Sequence, residues 1–195
     1  SALTLNAKCY QAALSAFNEL INDLTLEKLL PIVQDLKQRS YFGLHSKPIG
    51  NGLIDWRLSA IEISTIIKAL SFGGYPNDFA SPKVLIGQNV FIVQNFLEFN
   101  EESKKLPGTL LEISTNGIRI AASKGSLLLT HLCLQNGQIC DIESYCNKNN
   151  FKPGYCVQPS QALYSQLTAI SENIAIYENY WRKYLESSFS IDFPF

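Results

Sequence analysis

The sequence from Gly50 to Ala80, GNGLIDWRLSAIEISTIIKALSFGGYPNDFA, contains the clearest helix signal in the chain. Ser59 and Glu62 have the S-x-x-E spacing of a capping box, in which a hydroxyl and a carboxylate each accept a hydrogen bond from a free backbone N–H. Apolar residues then recur at helical spacing, at Ile63, Ile66, Ile67 and Leu70. Because Gly73-Gly74 supplies the backbone freedom that commonly ends a helix, we predict an amphipathic helix from Ser59 to Gly73-Gly74.

The residues around this helix resemble a known family. Gly52 to Trp56 reads G-x-I-D-W, Ala60 to Ile63 reads A-x-E-I, and Tyr75-Pro76 leads to Phe79 in an aromatic–proline turn. This order resembles the segment that joins the catalytic domain to the C-terminal domain in methionyl-tRNA formyltransferases and their relatives. The resemblance covers about Leu3 to Val157, and it implies that the C-terminal domain is an OB-like barrel.

The N-terminal part of the chain reads as helical. Apolar residues at mostly three- and four-residue steps predict an amphipathic helix from Leu5 to Leu24. We expect a second, shorter helix from about Leu26 to Arg39, with Pro31 in its first turn or breaking it. The pair resembles the last helical hairpin of a formyltransferase catalytic domain.

Beyond Lys83 the pattern changes to short runs of strand-forming residues separated by turn residues. These runs are 84–93, 109–114, 118–122 and 127–134, and Asn116-Gly117 is a strong hairpin signal. We expect a short helix around Asp141 to Asn147 and a closing strand after Lys152-Pro153-Gly154. The fold class is therefore α+β, with a small, partly open Greek-key barrel of the OB type between N-terminal helices and a C-terminal helix. The predicted boundaries are 1–48, 49–157 and 158–195.

The C-terminal tail opens at Pro159 with a long amphipathic helix. Its apolar stripe consists of Leu163, Leu167, Ile170, Ile174, Tyr177, Trp181 and Leu185. The pattern leaves open whether this helix packs on its own barrel or on a neighbouring domain. Residues 180–185, YWRKYL, and 192–195, DFPF, resemble the leader beside adenylation or condensation domains of nonribosomal peptide synthetases. Together with Tyr41-Phe42-Gly43, they favour the formyltransferase-like region of such a synthetase.

Charge and hydropathy narrow the classes of partner. The net charge is −1, and residues 83–157 contain seven basic and six acidic side chains, so no phosphate-binding stripe is predicted. Phe91, Phe96 and Phe99 are expected in the core or an interface rather than under stacked bases. The chain has neither a long apolar run nor a signal-peptide pattern, so we expect a cytoplasmic protein without a membrane partner.

The residues that could carry chemistry lack the spacing that chemistry needs. The five cysteines form no C-x-x-C pair, and reduced thiols are expected; His131 and Cys133 alone make a weak metal signal. His45 and His131 are interpreted as loop or strand residues, Asp55 as a linker residue and Glu62 as a cap. We therefore predict no catalytic, cofactor-binding or metal-binding residue in this chain.

Three functions remain open. The first is a noncatalytic module that packs against neighbouring synthetase domains: catalytic formyltransferase, adenylation or carrier. The second is the C-terminal part of an active formyltransferase, for which the resemblance implies 10-formyltetrahydrofolate as donor and an aminoacyl amine as acceptor. Its Asn-His-Asp constellation and folate loop would lie N-terminal to the matched region, so whether the parent is an enzyme stays open. The third is a tRNA-binding OB domain, which the balanced charge disfavours.

Overall fold

A computed structural model describes residues 1–73, 75, 77–101 and 104–188. Gly74, Pro76, Glu102, Ser103 and residues 189–195 lie outside the described residues, and with them parts of the predicted helix end, aromatic–proline turn and C-terminal leader. The described residues form four α-helices: α1 (Ala2–Thr25), α2 (Ala60–Ala69), α3 (Ile142–Lys148) and α4 (Gln161–Glu186). They also form five strands: β1 (Lys83–Ile86), β2 (Asn89–Phe99), β3 (Leu110–Ser114), β4 (Gly117–Ala121) and β5 (Ser126–Cys133).

The five strands make one antiparallel sheet with the order β1-β2-β5-β4-β3. β2 pairs with β5 rather than with its chain neighbour β3, which is the nonsequential pairing of a Greek key. A bulge in β2 between Val93 and Phe96 adds to the curl of the sheet. The result is a partly open half-barrel with helices at both ends of the chain, so the predicted α+β, OB-like class is confirmed.

The core fills the concave side of this half-barrel. α2 closes it with Ile63 and Ile67, which belong to one buried cluster with Phe91 on β2 and Leu129 on β5, and Trp56 is 0% exposed. Such burial of large apolar side chains is the main stabilising contribution to the fold. The core is therefore complete without any side chain of α1.

The capping box at the start of α2 is confirmed. The Ser59 hydroxyl accepts from the Glu62 N–H at 3.3 Å, and a Glu62 carboxylate oxygen accepts from the Ser59 N–H at 2.8 Å. The helix ends at Ala69, earlier than predicted, and Leu70 is its C-terminal cap. Gly73 does adopt a positive φ of 65°, but it lies in the loop beyond the helix.

Three other sequence predictions need correction. The helix predicted from Leu26 to Arg39 is wrong: only the 3₁₀ segment Leu36–Gln38 forms there. The run 84–93 is not one strand, because Gly87, with φ 63°, turns the chain between β1 and β2. The closing strand after Gly154 is reduced to an isolated bridge between Thr109 and Cys156. In contrast, α1, α3 and α4 lie where the sequence predicts them.

Candidate interaction surface

The G-x-I-D-W element forms the junction between the N-terminal segment, the barrel and α4. The 3₁₀ segment Ile49–Gly52 holds Gly50 and Gly52 at φ values of 64° and 82°, which glycine adopts without strain. A Cβ on Gly50 would lie 2.6 Å from the Tyr164 ring, and one on Gly52 would lie 2.3 Å from the Ser81 carbonyl oxygen. Both positions therefore need glycine, because the Tyr164 ring and the Ser81 carbonyl occupy the space that a Cβ would require.

A hydrogen-bond network joins this element to the start of α4. The Gln158 amide accepts from the Trp56 N–H at 2.8 Å and donates to Asp55 at 3.2 Å and to Tyr164 Oη at 3.3 Å. The Tyr164 hydroxyl donates to the Ile54 carbonyl at 2.7 Å. Arg57 forks onto Asp55 with Nε and Nη2 at 2.8 and 2.6 Å. The network fixes the direction in which α4 leaves the barrel.

The ionisable members of this network are shifted in opposite directions. Burial alone would raise the pKa of Asp55, but the hydrogen bonds and charge of Arg57, with the Gln158 amide, lower it below its ordinary value. Burial raises the pKa of Tyr164, and the nearby Asp55 carboxylate raises it further. Both groups therefore keep their structural protonation state near neutral pH. The expected linker role of Asp55 thus includes an ion pair and a contact with residue 158.

α4 packs on the junction through a face that the sequence pattern does not mark. Tyr164, Ser171 and Ala175 are buried, and Thr168 Oγ1 accepts from the Gly50 N–H at 2.8 Å. The large residues of the predicted stripe from Ile170 onward are exposed, at positions 170, 174, 177, 181 and 185. The helix therefore packs on the junction through Tyr164 and through small and polar residues, and it leaves its apolar stripe largely outside.

A polar strap holds the middle of α4 against the segments that flank α2. Lys47, with a side chain only 8% exposed, pairs with Glu178 at 2.6 Å and donates to the Asp78 carbonyl. Arg182 pairs with the Asp78 carboxylate, whose hydrogen bond raises the pKa of the guanidinium. These ion pairs orient α4 beyond its buried first half.

Two apolar surfaces remain exposed. The first, which we call the α1 surface, consists of α1 and the segment to Ile49: residues 3–25 are all exposed, including Leu14 at 70% and Phe17 at 60%. The second, which we call the α4 surface, consists of the exposed stripe residues 170, 174, 177, 181 and 185. It ends in a cluster in which the ring centroids of Tyr180, Trp181 and Tyr184 lie 5.4 to 6.3 Å apart. Large exposed apolar patches commonly mark sites of protein–protein interaction.

Two basic residues of the barrel make contacts within the domain. Lys83 is half-buried and donates to the Asn51 carbonyl at 2.7 Å, whereas Arg119 lies 4.3 Å over the Phe99 ring and pairs with Glu101 at 3.5 Å. Phe91 is buried in the core, and Phe96 packs against it. Phe91 and Phe96 therefore belong to the core as expected, whereas Phe99 is half-buried beneath the Arg119 guanidinium.

The two histidines lie in different parts of the structure. His131 is exposed on β5 beside Thr130 Oγ1 at 3.2 Å, while His45 is exposed in the linker and shares the wall of a cleft with Asn77 and Asp78. Because Asp78 pairs with Arg182 and His45 has no hydrogen bond to any described residue, these side chains do not make a working acid–base set.

The five cysteines, all within the described ranges, are free thiols. Cys133 and Cys146 are buried, and burial raises the pKa of Cys146 to about 11. No group of metal-ligating side chains and no helix long and apolar enough to cross a membrane occurs in the described part of the chain. No sequence signal indicated that Gln158 holds the junction together, because no motif connects it to Asp55 and Trp56, which lie about a hundred positions earlier.

The half-barrel, closed by α2 and preceded by the G-x-I-D-W junction, is an α+β domain of the OB-like class. Residues 50–150 match the family described as "Formyl transferase, C-terminal domain", which covers more than half of the chain. The chain belongs to this family.

Similar proteins are methionyl-tRNA formyltransferases. That of Clostridium novyi is 27% identical over 69% of this chain and 41% of its own length. Those of Blochmanniella pennsylvanica and Trichlorobacter lovleyi are 26% and 25% identical over 77% and 81% of this chain, and 47% of their own length. The chain thus spans less than half the length of these curated relatives.

Proposed function

We propose that this chain is a noncatalytic interaction module of a formyltransferase-like protein, and that its α1 surface packs against a neighbouring catalytic domain. The observation that carries the proposal is the exposure of α1. An amphipathic helix of 24 residues gains most of its stability from burying an apolar face, and α1 buries none against the barrel.

The total surface supports the same proposal. The accessible surface is 14334 Å², whereas a compact monomer of 21.8 kDa exposes about 9,000 Å². The difference exceeds the surface that a domain–domain interface usually buries, which is roughly 600–1,500 Å². The chain therefore has enough exposed surface for more than one neighbour.

In the finer form of the proposal, the neighbours are domains of a nonribosomal peptide synthetase. The YWRKYL segment at 180–185 supports it, because its aromatic side chains form an exposed cluster at the end of α4. An adenylation or carrier domain would lie against this cluster, and the parent would work in the cytoplasm. The formyltransferase catalytic domain, with its folate donor, would lie against the α1 surface.

The names of the relatives favour a second candidate, a tRNA-binding OB domain. Such a domain needs several Lys or Arg side chains free to neutralise phosphates. Here Lys83 is half-buried and Arg119 is held by Phe99, Ser126 and Glu101. We therefore place tRNA binding second.

The proposal is tested by calorimetric titration of the 195-residue chain with the formyltransferase, adenylation and carrier domains of its parent, and with tRNA at physiological salt. Leu14→Glu with Phe17→Glu places two charges on the apolar stripe of α1, and Ser15→Glu, on the polar side of the same helix, is the control. We expect binding to the formyltransferase domain that the double variant abolishes and the control retains. Tight, salt-dependent tRNA binding without domain binding would overturn the proposal.

A further inference from the structure

A cleft of about 280 Å³ lies between α4 and the two segments that flank α2. Its lining combines the polar side chains of Lys47, Lys83 and Asn77 with the apolar side chains of Ile170 and Ile174. Small-molecule pockets usually range from about 300 to 1,000 Å³, so this cleft suits a small ligand.

Lys83 brings a positive charge into the cleft without a counter-ion. Its ammonium group has three donors, of which one bonds the Asn51 carbonyl at 2.7 Å, and no described carboxylate pairs with it. Burial lowers the pKa of Lys83, and the charge of Lys47 lowers it further. A partly desolvated cation is unfavourable unless it is paired, so this position favours an incoming anion.

The surrounding charges indicate that the anion should carry a single negative charge. Lys47 pairs with Glu178, and Arg182 pairs with Asp78, so these four charges cancel. Lys83 then leaves the cleft with one positive charge. A monoanion neutralises it, whereas a dianion such as phosphate leaves an excess negative charge beside Glu178 and Asp78.

The hydrogen-bond donors fit a carboxylate in particular. Asn77 Oδ1 accepts from the N–H groups of Phe79 and Ala80 at 3.0 and 3.1 Å, while its NH₂ group has no partner among the residues that the structure describes. Asn77 and Lys83 line the same cleft as the two isoleucines, so donors for a carboxylate and an apolar wall are both present.

We propose that the cleft binds a small aliphatic monocarboxylate, with its carboxylate on Lys83 and its alkyl group against Ile170 and Ile174. This site is independent of the proposed interaction role, because neither helix α1 nor the ring cluster at the end of α4 lines it.

The first experiment titrates the 195-residue chain with 4-methylpentanoate, followed by calorimetry and by the NMR shifts of the lysine side chains. Neutral 4-methylpentanamide and inorganic phosphate are the comparison ligands. We expect saturable one-to-one binding of the carboxylate, at least about tenfold tighter than either comparison ligand, since a charged hydrogen bond is lost with the amide. Absence of saturable binding, or equal affinity for the amide or phosphate, would overturn the proposal.

Variants locate the site. Lys83→Met should weaken binding at least about tenfold, whereas Lys83→Arg keeps the charge and should stay within about threefold. Ile170→Glu places a carboxylate in the cleft and should also abolish binding, with Ile176→Glu as the control. Both isoleucines are exposed on α4, at 54% and 60%, so these two variants keep the fold even if Lys83→Met does not. Unchanged binding in Ile170→Glu would contradict the assignment.

Discussion

Gly50 is the residue at which barrel, linker and α4 meet. Its φ of 64° costs a residue with a Cβ about 1–2 kcal/mol, and the Tyr164 ring leaves no room for that Cβ. The same residue donates its N–H to Thr168 at 2.8 Å. The first glycine of the GNGLIDW stretch thus acts as a docking point for α4 rather than as a flexible link.

Gly50→Ala should therefore destabilise the chain by about 2–4 kcal/mol, because strain and overpacking act together. The matched control is Gly137→Ala, since Gly137 has φ 84° but nothing within 4 Å of a built Cβ. It should cost only about 1 kcal/mol, the conformational part alone. Chemical denaturation of both variants provides the measurement, and equal losses would contradict the docking role of Gly50.

The lowered pKa of Asp55 predicts that the stability of the fold decreases at acid pH. Because its folded-state pKa is lowered, its contribution is present above the ordinary value of 3.8 and is lost as the pH falls through the folded pKa. Asp55→Asn should cost about 1 kcal/mol at neutral pH and flatten the decrease in stability below that value. Asp23→Asn on exposed α1 is the control, and unfolding curves from pH 2 to 7 provide the test. An Asp55→Asn acid limb as steep as that of the parent chain would refute this role.

The sequence predicted single residues well where the signal was local. The Ser59–Glu62 capping box lies within one turn, so its spacing alone was sufficient. Gln158 was missed because its partners, Trp56, Asp55 and Tyr164, come together only in the folded chain. Local hydrogen bonds leave a pattern in sequence, whereas nonlocal ones do not.

At the scale of elements, α4 shows why an apolar stripe can mislead. The face that packs on the junction consists of Tyr164, Thr168, Ser171 and Ala175, of which the last three have small side chains that permit close approach. The larger apolar residues of the stripe, from Ile170 onward, are exposed instead. Hydrophobic periodicity therefore predicted the helix but not the face that packs on the junction.

The failed helix at 26–39 has a related cause. Leu30, Ile32 and Val33 are all exposed around Pro31, which cannot donate to a helical hydrogen bond. A short helix without a buried face is only marginally stable. The apolar content that suggested a helix is instead part of the α1 surface.

The strap at the middle of α4 can be tested at this scale. Glu178→Ala leaves Lys47 largely buried without its carboxylate, so we expect a loss of about 1–2 kcal/mol after discounting for the exposure of Glu178. Glu172→Ala, on the exposed part of the same helix, should change stability by less than about 0.5 kcal/mol. Thermal unfolding distinguishes the two, and a loss in Glu172→Ala equal to that in Glu178→Ala would argue against the strap.

At the scale of the whole molecule, the barrel and α4 form a core that α1 does not join. The strand pattern was sufficient to predict an OB-like sheet, because hairpin turns such as Asn116-Gly117 are local signals. What the sequence did not predict is the outward placement of the apolar residues of α1. Hydrophobic periodicity marks an apolar face of a helix but does not say what covers that face.

The most direct test of the interaction role is hydrogen–deuterium exchange of the 195-residue chain, alone and mixed with the formyltransferase catalytic domain of its parent. We predict that the amides of α1 exchange quickly in the free chain, because no tertiary contact buries the helix, and become protected in the mixture. The amides of β2 and β5 should be protected in both samples. If α1 is already as protected as these strands in the free chain, or gains no protection in the mixture, the α1 surface is not the interface and the account is wrong.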